Sequence, residues 1–210
     1  LTTNLWSSEL SKLTANAFLA QRISSINSLS ELCEKTGANI DEVSMAIGMD
    51  SRIGNKFLKT SVGFGGSCFQ KDILNLVYIA KSLGLEKVAN YWEQILIINS
   101  HQRERFANKI INNIIANNLS KNVFIFGWSF KKDTNDSRES ASIYVARSLI
   151  NADIKIQIYD PQVDRIQIFN DISNKKDVEV AASHLYNLDN FNSIVILTEW
   201  DEFIDYDWNK

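Results

Sequence analysis

Two long stretches that contain neither glycine nor proline, residues 6–34 and 86–118, constrain the fold of this chain most strongly. Apolar residues recur in both at the three- and four-residue spacing of a helix face. In the first stretch this face comprises Leu10, Leu13, Ala17, Ala20, Ile23, Ile26, Leu29 and Cys33. In the second it comprises Val88, Trp92, Ile95, Leu96, Asn99, Phe106, Ile110 and Ile114. The sequence therefore predicts two unusually long helices.

Shorter helices are predicted between these two. Asp41 is a suitable N-cap for a helix that ends at Ile47, before Gly48. Residues 50–66 hold four glycines and are expected to form a loop. Ser67 and Gln70 have capping-box spacing, which predicts a helix from residue 68 to residue 83.

The pattern changes near Ser120. Short apolar runs typical of strands cover residues 123–127, 154–159 and 193–198, and a shorter one covers 178–180. A helix is predicted over 137–150. Residues 162–177 form a polar stretch for which the pattern predicts no helix or strand. Alternating strands and helices indicate a mostly parallel sheet. We predict an α + α/β chain, with a helical domain over 1–119 and a Rossmann-like α/β domain over 120–210.

The amino-acid composition argues against some classes of function. The 210 residues are 45% apolar and 22% charged, with a net charge of −3, and the isoelectric point is about 5.5. This balance argues against a general nucleic-acid binder. No apolar run is long enough for a membrane helix, and the first residues do not resemble a signal peptide. Because the chain does not begin with Met, we expect it to be a fragment of a longer protein.

The chain has two cysteines and two histidines. Two widely spaced cysteines predict neither a disulfide framework nor a zinc site, and they favour a reducing, cytoplasmic setting. Cys33 has the spacing of a core residue. His101 and His184 are interpreted as surface or satisfied side chains.

Cys68 is the strongest candidate for chemistry. It follows a glycine-rich loop and begins a predicted helix, whose positive end favours a thiolate. Asp72 lies four residues further on, so a thiol and a carboxylate share one helix face. A buried structural cysteine is the alternative, and the residues alone leave the two about equally balanced.

Basic and amide side chains form three further candidate groups. Lys12 and Asn16 are four residues apart and could stabilise an oxyanion, although a solvated face is the commoner reason for this spacing. The loop 130–140, with Lys131, Lys132 and Arg138, lies between a strand and a helix, where α/β proteins bind phosphate. Basic residues of the earlier loop could also meet phosphate: Arg52, Lys56 and Lys59. Plain surface loops remain the alternative for both.

Several long motifs resemble the UDP-glucose dehydrogenases of the animal type. The most specific is the run FLKTSVGFGGSCFQKD at residues 57–72. Further matches are WSSELSKL at 6–13, IGMD at 47–50, FKKDT at 130–134, YDP at 159–161 and TEWD at 198–201. UDP-N-acetylmannosamine and GDP-mannose dehydrogenases share a shorter version of the cysteine motif.

The resemblance implies a reaction and roles for residues. Family members oxidise the C6 alcohol of the sugar to a carboxylate in two hydride transfers to two NAD. It implies that Cys68 captures the aldehyde as a thiohemiacetal, which becomes a thioester and is hydrolysed. It also implies that Lys12 and Asn16 stabilise the oxyanion and that Asp72 positions or activates water.

The resemblance also implies the binding residues. For UDP-glucose they are Phe57, Lys59, Phe64, Gly65, Phe130 and Lys131, with Arg52 reaching the sugar nucleotide from a neighbouring subunit. For NAD they are Arg138 and Lys71. The family's N-terminal NAD domain, which would bind most of this cofactor, has no counterpart here, so we expect the fragment alone to lack dehydrogenase activity. A further substrate-binding arginine is expected beyond Lys210.

The resemblance further implies a homo-oligomer built from dimers, with the helix over 6–34 in the dimer contact. The charge balance and the lack of a long apolar run lead us to expect no nucleic-acid or membrane partner. Two alternatives remain open. The chain could be a nucleotide-sugar-binding or assembly module without chemistry of its own. It could also belong to a sister enzyme that acts on a different nucleotide sugar.

Overall fold

The structure, a computed structural model, describes residues 2–172, 176–181, 188–204, 206 and 208. Two compact units make up the chain, Leu1–Gln102 and Arg103–Lys210, and the boundary between them falls inside a long helix. The domain boundary expected near residue 119 stays a prediction. His184 lies outside the described residues.

Four helices account for most of the regular structure in the first unit. They are α1 (Leu5–Thr36), α2 (Ile40–Gly48), α3 (Ser67–Ser82) and α4 (Glu86–Ala116), the last of which continues into the second unit. The two long helices are therefore confirmed. Asn4 caps α1 by accepting a hydrogen bond from the Ser7 N–H at 2.8 Å. Gly37, with φ of 78°, ends it in the left-handed conformation.

The prediction that Asp41 caps α2 is wrong, because Asn39 does so. Asn39 has the extended backbone of an N-cap, and its side-chain oxygen accepts from the Asp41 N–H at 2.8 Å. Asp41 and Glu42 instead lie in the first turn, where negative charge is favourable.

The core of the first unit is built from small residues of α1 and larger residues of α3 and α4. Ala17 and Ala20 are fully buried, which lets the helices approach closely. The remaining members of the cluster are Phe64, Ile73, Val77, Ala80, Ala89 and Ile95. Cys33 is also buried, as its spacing predicts.

The second unit contains a four-stranded, all-parallel sheet. Its strands are β1 (Asn122–Phe126), β2 (Lys155–Tyr159), β3 (Val178–Val180) and β4 (Ser193–Ile196), in the order β3-β2-β1-β4. Helix α5 (Ala141–Asn151) connects β1 to β2, and α6 (Arg165–Asp171) lies between β2 and β3. Single 3₁₀ turns cover Leu188–Asn190 and Asp201–Phe203. The predicted parallel α/β arrangement is confirmed.

Two element boundaries in this unit differ from the prediction. Helix α5 begins at Ala141 rather than at residue 137, because Glu139 has a positive φ of 55° and Ser140 is the cap. The polar stretch after β2 contains α6, which Asp164 caps by accepting from the Gln167 N–H at 2.9 Å. This helix has only seven residues, and Ile168 is its one fully buried side chain, so it has almost no apolar period.

Aromatic side chains fill one side of the sheet. Phe124 and Phe126 are fully buried at the centre of a cluster with Ala181, Trp200 and Phe203. The ring of Phe126 lies edge-on to that of Phe203 at 5.0 Å between centroids. Tyr159 borders the cluster, and burial, followed by a hydrogen bond to Glu202, raises its pKa to about 12. Among the described residues, no helix has the combination of length and apolar character that crossing a bilayer would require.

Gly127 ends β1 at a point of close contact. Its φ is 92°, and a Cβ built there would lie 2.4 Å from the Thr198 Cβ and 2.5 Å from the Thr198 N. Both the backbone conformation and the space at this position therefore require glycine.

We expect Gly127→Ala to destabilise the protein strongly. A matched change, Gly84→Ala, places alanine at a similar φ of 72° where no atom lies within 4 Å. The second variant should lose about 1–2 kcal/mol from the left-handed backbone alone. The first should lose clearly more, because the clash with Thr198 adds to that cost. Urea denaturation of both variants measures this, and equal losses would contradict a close approach at Gly127.

Candidate active site

Cys68 lies at the amino-terminal end of α3, with its side chain exposed. Cys33, in contrast, is buried, so the two thiols differ in access to solvent. The Ser67 hydroxyl lies 3.9 Å from the Cys68 sulfur. An exposed thiol in the first turn of a sixteen-residue helix faces the positive end of the helix dipole. This placement suits a nucleophile better than a packing residue.

The predicted capping box at Ser67 is wrong. Gly66 is the N-cap, with φ of 84° and ψ of 158°, and no side chain caps the helix there. A serine cap needs an extended backbone at its own position. Here the chain reverses at Gly66 in a conformation open only to glycine, so Ser67 is already helical. Cys68 is consequently the second residue of α3.

Asp72 and Asn16 are brought together by the packing of α3 against α1. The Asn16 amide donates to the Asp72 carboxylate at 2.6 Å. Asp72 is only 1% exposed, so this hydrogen bond helps to satisfy a buried polar side chain. Asn16 has a second amide N–H, which remains for another acceptor. Lys12, one turn earlier on α1, is exposed.

The loop over 50–66 is held by side chains that the sequence analysis did not single out. Arg22 of α1 donates to three of its carbonyls, those of Ile53 (2.8 Å), Gly54 (2.8 Å) and Lys56 (2.9 Å). Three hydrogen bonds from one planar guanidinium fix the orientation of this segment.

The second half of this loop is held by amides of the long helices. The Asn27 oxygen accepts from the Ser61 N–H at 2.8 Å, and the Gln102 amide donates to the Ser61 carbonyl at 2.7 Å. Asn99 pairs with Phe64 in both directions, accepting from its N–H at 2.8 Å and donating to its carbonyl at 3.1 Å. The backbone that leads to Cys68 therefore runs along a line of buried amides.

A usable signal for these residues exists in the sequence. Asn27 directly follows the apolar-face residue Ile26, and Asn99 lies four residues after Ile95 on the mainly apolar face of α4. An amide at a core-facing helix position must find hydrogen-bond partners. Such positions therefore point to irregular backbone packed nearby.

The candidate substrate residues of the first unit lie on this loop. Phe57 is 44% exposed and has a strained φ of 61°, and Lys59 is exposed. Phe64 and Gly65 are buried. Arg52 is exposed and pairs with Asp50 at 2.6 Å, and this hydrogen bond lowers the pKa of Asp50. Lys71, on α3, is exposed.

The candidate residues of the second unit lie on the segment between β1 and α5. Phe130 is half-buried, and the Lys131 ammonium lies 5.6 Å from the centre of its ring. Lys132 pairs with Asp201 at 2.7 Å, which raises its pKa. Arg138 pairs with Asp136 at 2.7 Å and lowers the pKa of that carboxyl. Lys131 thus keeps an exposed charge while its neighbours hold acidic partners.

Within the described ranges, no three acidic, cysteine or histidine side chains are grouped so that they could hold a metal ion. His101 is exposed and lies 2.8 Å from the Glu31 carboxylate. It is therefore a surface side chain with a partner.

Removal of the Asn99 side chain should destabilise the first unit. Asn99→Ala removes both hydrogen bonds between the Asn99 amide and the buried backbone of Phe64, and each is worth about 0.5–1.5 kcal/mol. Gln94→Ala, an exposed position of the same helix, should change the free energy of unfolding by less than about 0.5 kcal/mol. Urea denaturation with both variants tests this, and equal stabilities would show that the Asn99 tether contributes nothing.

Comparison with known proteins divides the chain into two domains, close to the two units of the structure. Residues 6–101 match the central domain of the UDP-glucose/GDP-mannose dehydrogenase family, and residues 124–210 match its UDP binding domain. The chain is 55% identical to the UDP-glucose 6-dehydrogenase of Bos taurus and 53% identical to that of Mus musculus. Both alignments cover 100% of the chain and 44% of the relative.

A solved structure of a UDP-glucose dehydrogenase from Pyrobaculum islandicum is similar throughout. It superimposes with a TM-score of 0.82 at 30% identity, over 95% of this chain and 45% of that protein. The chain thus spans somewhat less than half the length of the relatives that it matches. Since the two family domains together cover nearly all of it, the chain belongs to the UDP-glucose/GDP-mannose dehydrogenase family.

Proposed function

We propose that this chain forms part of an NAD-dependent dehydrogenase that oxidises UDP-glucose to UDP-glucuronate. The observation that carries the proposal is the exposed Cys68 thiol at the start of α3, one turn before the buried Asp72, whose carboxylate accepts from the Asn16 amide. Relatives named UDP-glucose 6-dehydrogenase, at 50–55% identity over the whole chain, support UDP-glucose as the substrate.

The thiol chemistry follows from these groups. The Cys68 thiolate attacks the C6 aldehyde carbon, forming a C–S bond while the carbonyl electron pair moves to oxygen. We propose that Lys12 and the second N–H of Asn16 stabilise that oxyanion, since an ammonium and an amide N–H are both suitable donors to negative oxygen. The oxidised adduct is a thioester. Water then attacks its carbonyl carbon, Asp72 accepts a proton, and the C–S bond breaks to release the carboxylate and the thiol.

NAD is the proposed cofactor, and when bound it accepts the hydride of each oxidation. The turn after β1 does not fit the pyrophosphate of a dinucleotide, because the Asp160 carboxylate already accepts from the Trp128 and Ser129 N–H groups. We propose that Lys71 and Arg138 contact NAD and that other residues hold its pyrophosphate.

The nucleotide sugar is proposed to bind two sets of residues. The first comprises Phe57, Lys59, Phe64 and Gly65 of the loop before α3, and the second comprises Phe130 and Lys131 after β1. Exposed lysine ammonium groups suit diphosphate oxygens, and aromatic rings suit the uracil and sugar faces. Arg52 is proposed to act from a neighbouring subunit. Its pairing with Asp50 is exposed and therefore costs little to exchange for phosphate.

Two different functions remain as rivals. A sister enzyme would use the same thiol on another nucleotide sugar, and titration with several nucleotide sugars separates it from our proposal. A binding module without chemistry would carry an inert thiol.

We propose that the protein is cytoplasmic, because oxidation of the exposed Cys68 thiol outside a reducing compartment would remove the nucleophile.

Thiol reactivity and UDP binding test the proposal together. We expect iodoacetamide to alkylate Cys68 faster than a model thiol and UDP-glucose to slow the reaction. Cys33→Ala, at the buried thiol, is the control and should leave the rate unchanged.

In calorimetry, Cys68→Ser should bind UDP as the parent does, while Lys131→Ala should bind about ten-fold more weakly, since it loses a charged phosphate contact. A model-thiol rate without protection would favour the binding module. Equal UDP affinities for all three proteins would remove Lys131 from the site.

We further propose that a second copy of the chain packs on α1. Large apolar side chains of this helix are exposed, among them Trp6 (67%), Phe18 (55%) and Leu32 (59%). A dimer contact would cover them.

Light scattering at high protein concentration should give the mass of a dimer. Leu32→Glu should shift the protein towards monomer, because it places a charge in an apolar contact. Glu34→Gln, an exposed neighbour on the same helix, serves as the control. A monomeric mass for the parent would contradict the dimer.

A further inference from the structure

Two sequence motifs, YDP at 159–161 and TEWD at 198–201, meet at the turn that follows β1. The turn covers residues 127–131 and carries Phe130 and Lys131. Both motifs lie at the carboxyl ends of strands beside β1, since β2 and β4 are its two neighbours in the sheet. The parallel arrangement therefore delivers their side chains to the same edge.

Asp160 holds the amino side of this turn. It is 8% exposed, and one carboxylate oxygen accepts from the Trp128 N–H (2.6 Å), the Ser129 N–H (3.0 Å) and the Trp200 indole N–H (3.1 Å). The other oxygen accepts from the N–H groups of Gln162 and Val163. A carboxylate with five donors is fixed in position and orientation.

Thr198 holds the carbonyl side. Its hydroxyl donates to the Ser129 carbonyl at 2.6 Å, and the Ser140 hydroxyl donates to the same oxygen at 3.3 Å. Both Thr198 and Ser129 are buried. The backbone of Ser129 is thus held on both sides: its N–H donates to Asp160, and its C=O accepts from Thr198.

The contacts continue to the residues of interest. The Ser129 hydroxyl donates to the Lys131 carbonyl at 2.8 Å, and the Phe130 N–H donates to the Asp136 carbonyl at 3.0 Å. The backbone of this dipeptide is therefore held at both ends, through the Phe130 N–H and the Lys131 C=O. Their side chains start from a defined point although Lys131 itself is exposed.

We infer that Asp160, Thr198 and Trp200 are positioning residues for nucleotide-sugar binding: they clamp the 127–131 turn so that Phe130 and Lys131 are preorganised. The inference rests on the proposed function, in which those two residues contact the UDP-sugar. Preorganisation matters because a ligand that must order a loop binds with less net free energy.

A matched pair at one position tests the clamp. Thr198→Val keeps the shape of the side chain and removes the hydroxyl that bonds Ser129, whereas Thr198→Ser keeps the hydroxyl. In calorimetry with UDP, we expect the valine variant to bind about five-fold or more weakly than the parent, and the serine variant to bind close to the parent.

A control variant shows whether a loss of stability alone weakens UDP binding. Ile154→Val, a buried position just before β2, provides a variant of comparable stability loss away from the turn, and it should bind UDP as the parent does. If Thr198→Val fails to fold, Trp200→Phe replaces it, since it removes only the indole N–H that Asp160 accepts. Parental affinity in Thr198→Val, or in Trp200→Phe where that replaces it, would overturn the inference and leave the proposed function standing.

Hydrogen exchange provides a readout that does not depend on UDP. In Asp160→Asn, the amides of Trp128 and Ser129 should exchange faster, while those of β1 stay protected. Unchanged exchange at both amides would overturn the clamp. Failure of the parent chain to bind UDP would instead overturn the proposed function, and faster exchange in Asp160→Asn would still show that Asp160 holds the turn.

Discussion

The irregular backbone that carries the candidate site residues is held by buried polar side chains of the regular elements. Buried N–H and C=O groups must find partners, and a loop cannot supply them as a helix or sheet does. In the first unit, Asn99 pairs with both polar groups of Phe64. In the second, Asp160 and Thr198 pair with those of Ser129. The two segments differ in fold but are held in the same way.

This arrangement explains how exposed reactive groups can keep a defined geometry. Cys68 and Lys131 are both exposed, as the proposed contacts of this thiol and this ammonium with a substrate require. In each case the backbone is fixed a few residues earlier in the chain. Asn99 holds Phe64, four residues before Cys68, and Asp160 holds Ser129, two residues before Lys131. The geometry of these exposed groups therefore depends on buried amides and carboxylates. Removing one of these side chains is strongly destabilising, because the backbone groups that it binds stay buried.

Much of the fold follows from local patterns along the chain. The long helices α1 and α4 and the strands β1 and β2 have strong periodicity, and they were predicted within a few residues. The errors fall where local signals compete. Asn39 and Asp41 are both suitable caps, and only the backbone conformation selects Asn39. Helix α6 is too short for an apolar period, and Gly66 displaces the cap from Ser67.

Local sequence patterns were sufficient to predict the helical and α/β parts, the core position of Cys33 and the candidacy of Cys68, because each depends on residue spacing or on a glycine-rich context. Packing between elements determines which residues meet. Asn16 contacts Asp72, which lies 56 residues further along the chain, and Asp160 and Thr198 reach one turn from the ends of two different strands. Spacing along a chain specifies which face of an element a residue occupies. Hydrogen bonds between elements depend on packing distances of a few ångströms, which no local pattern encodes.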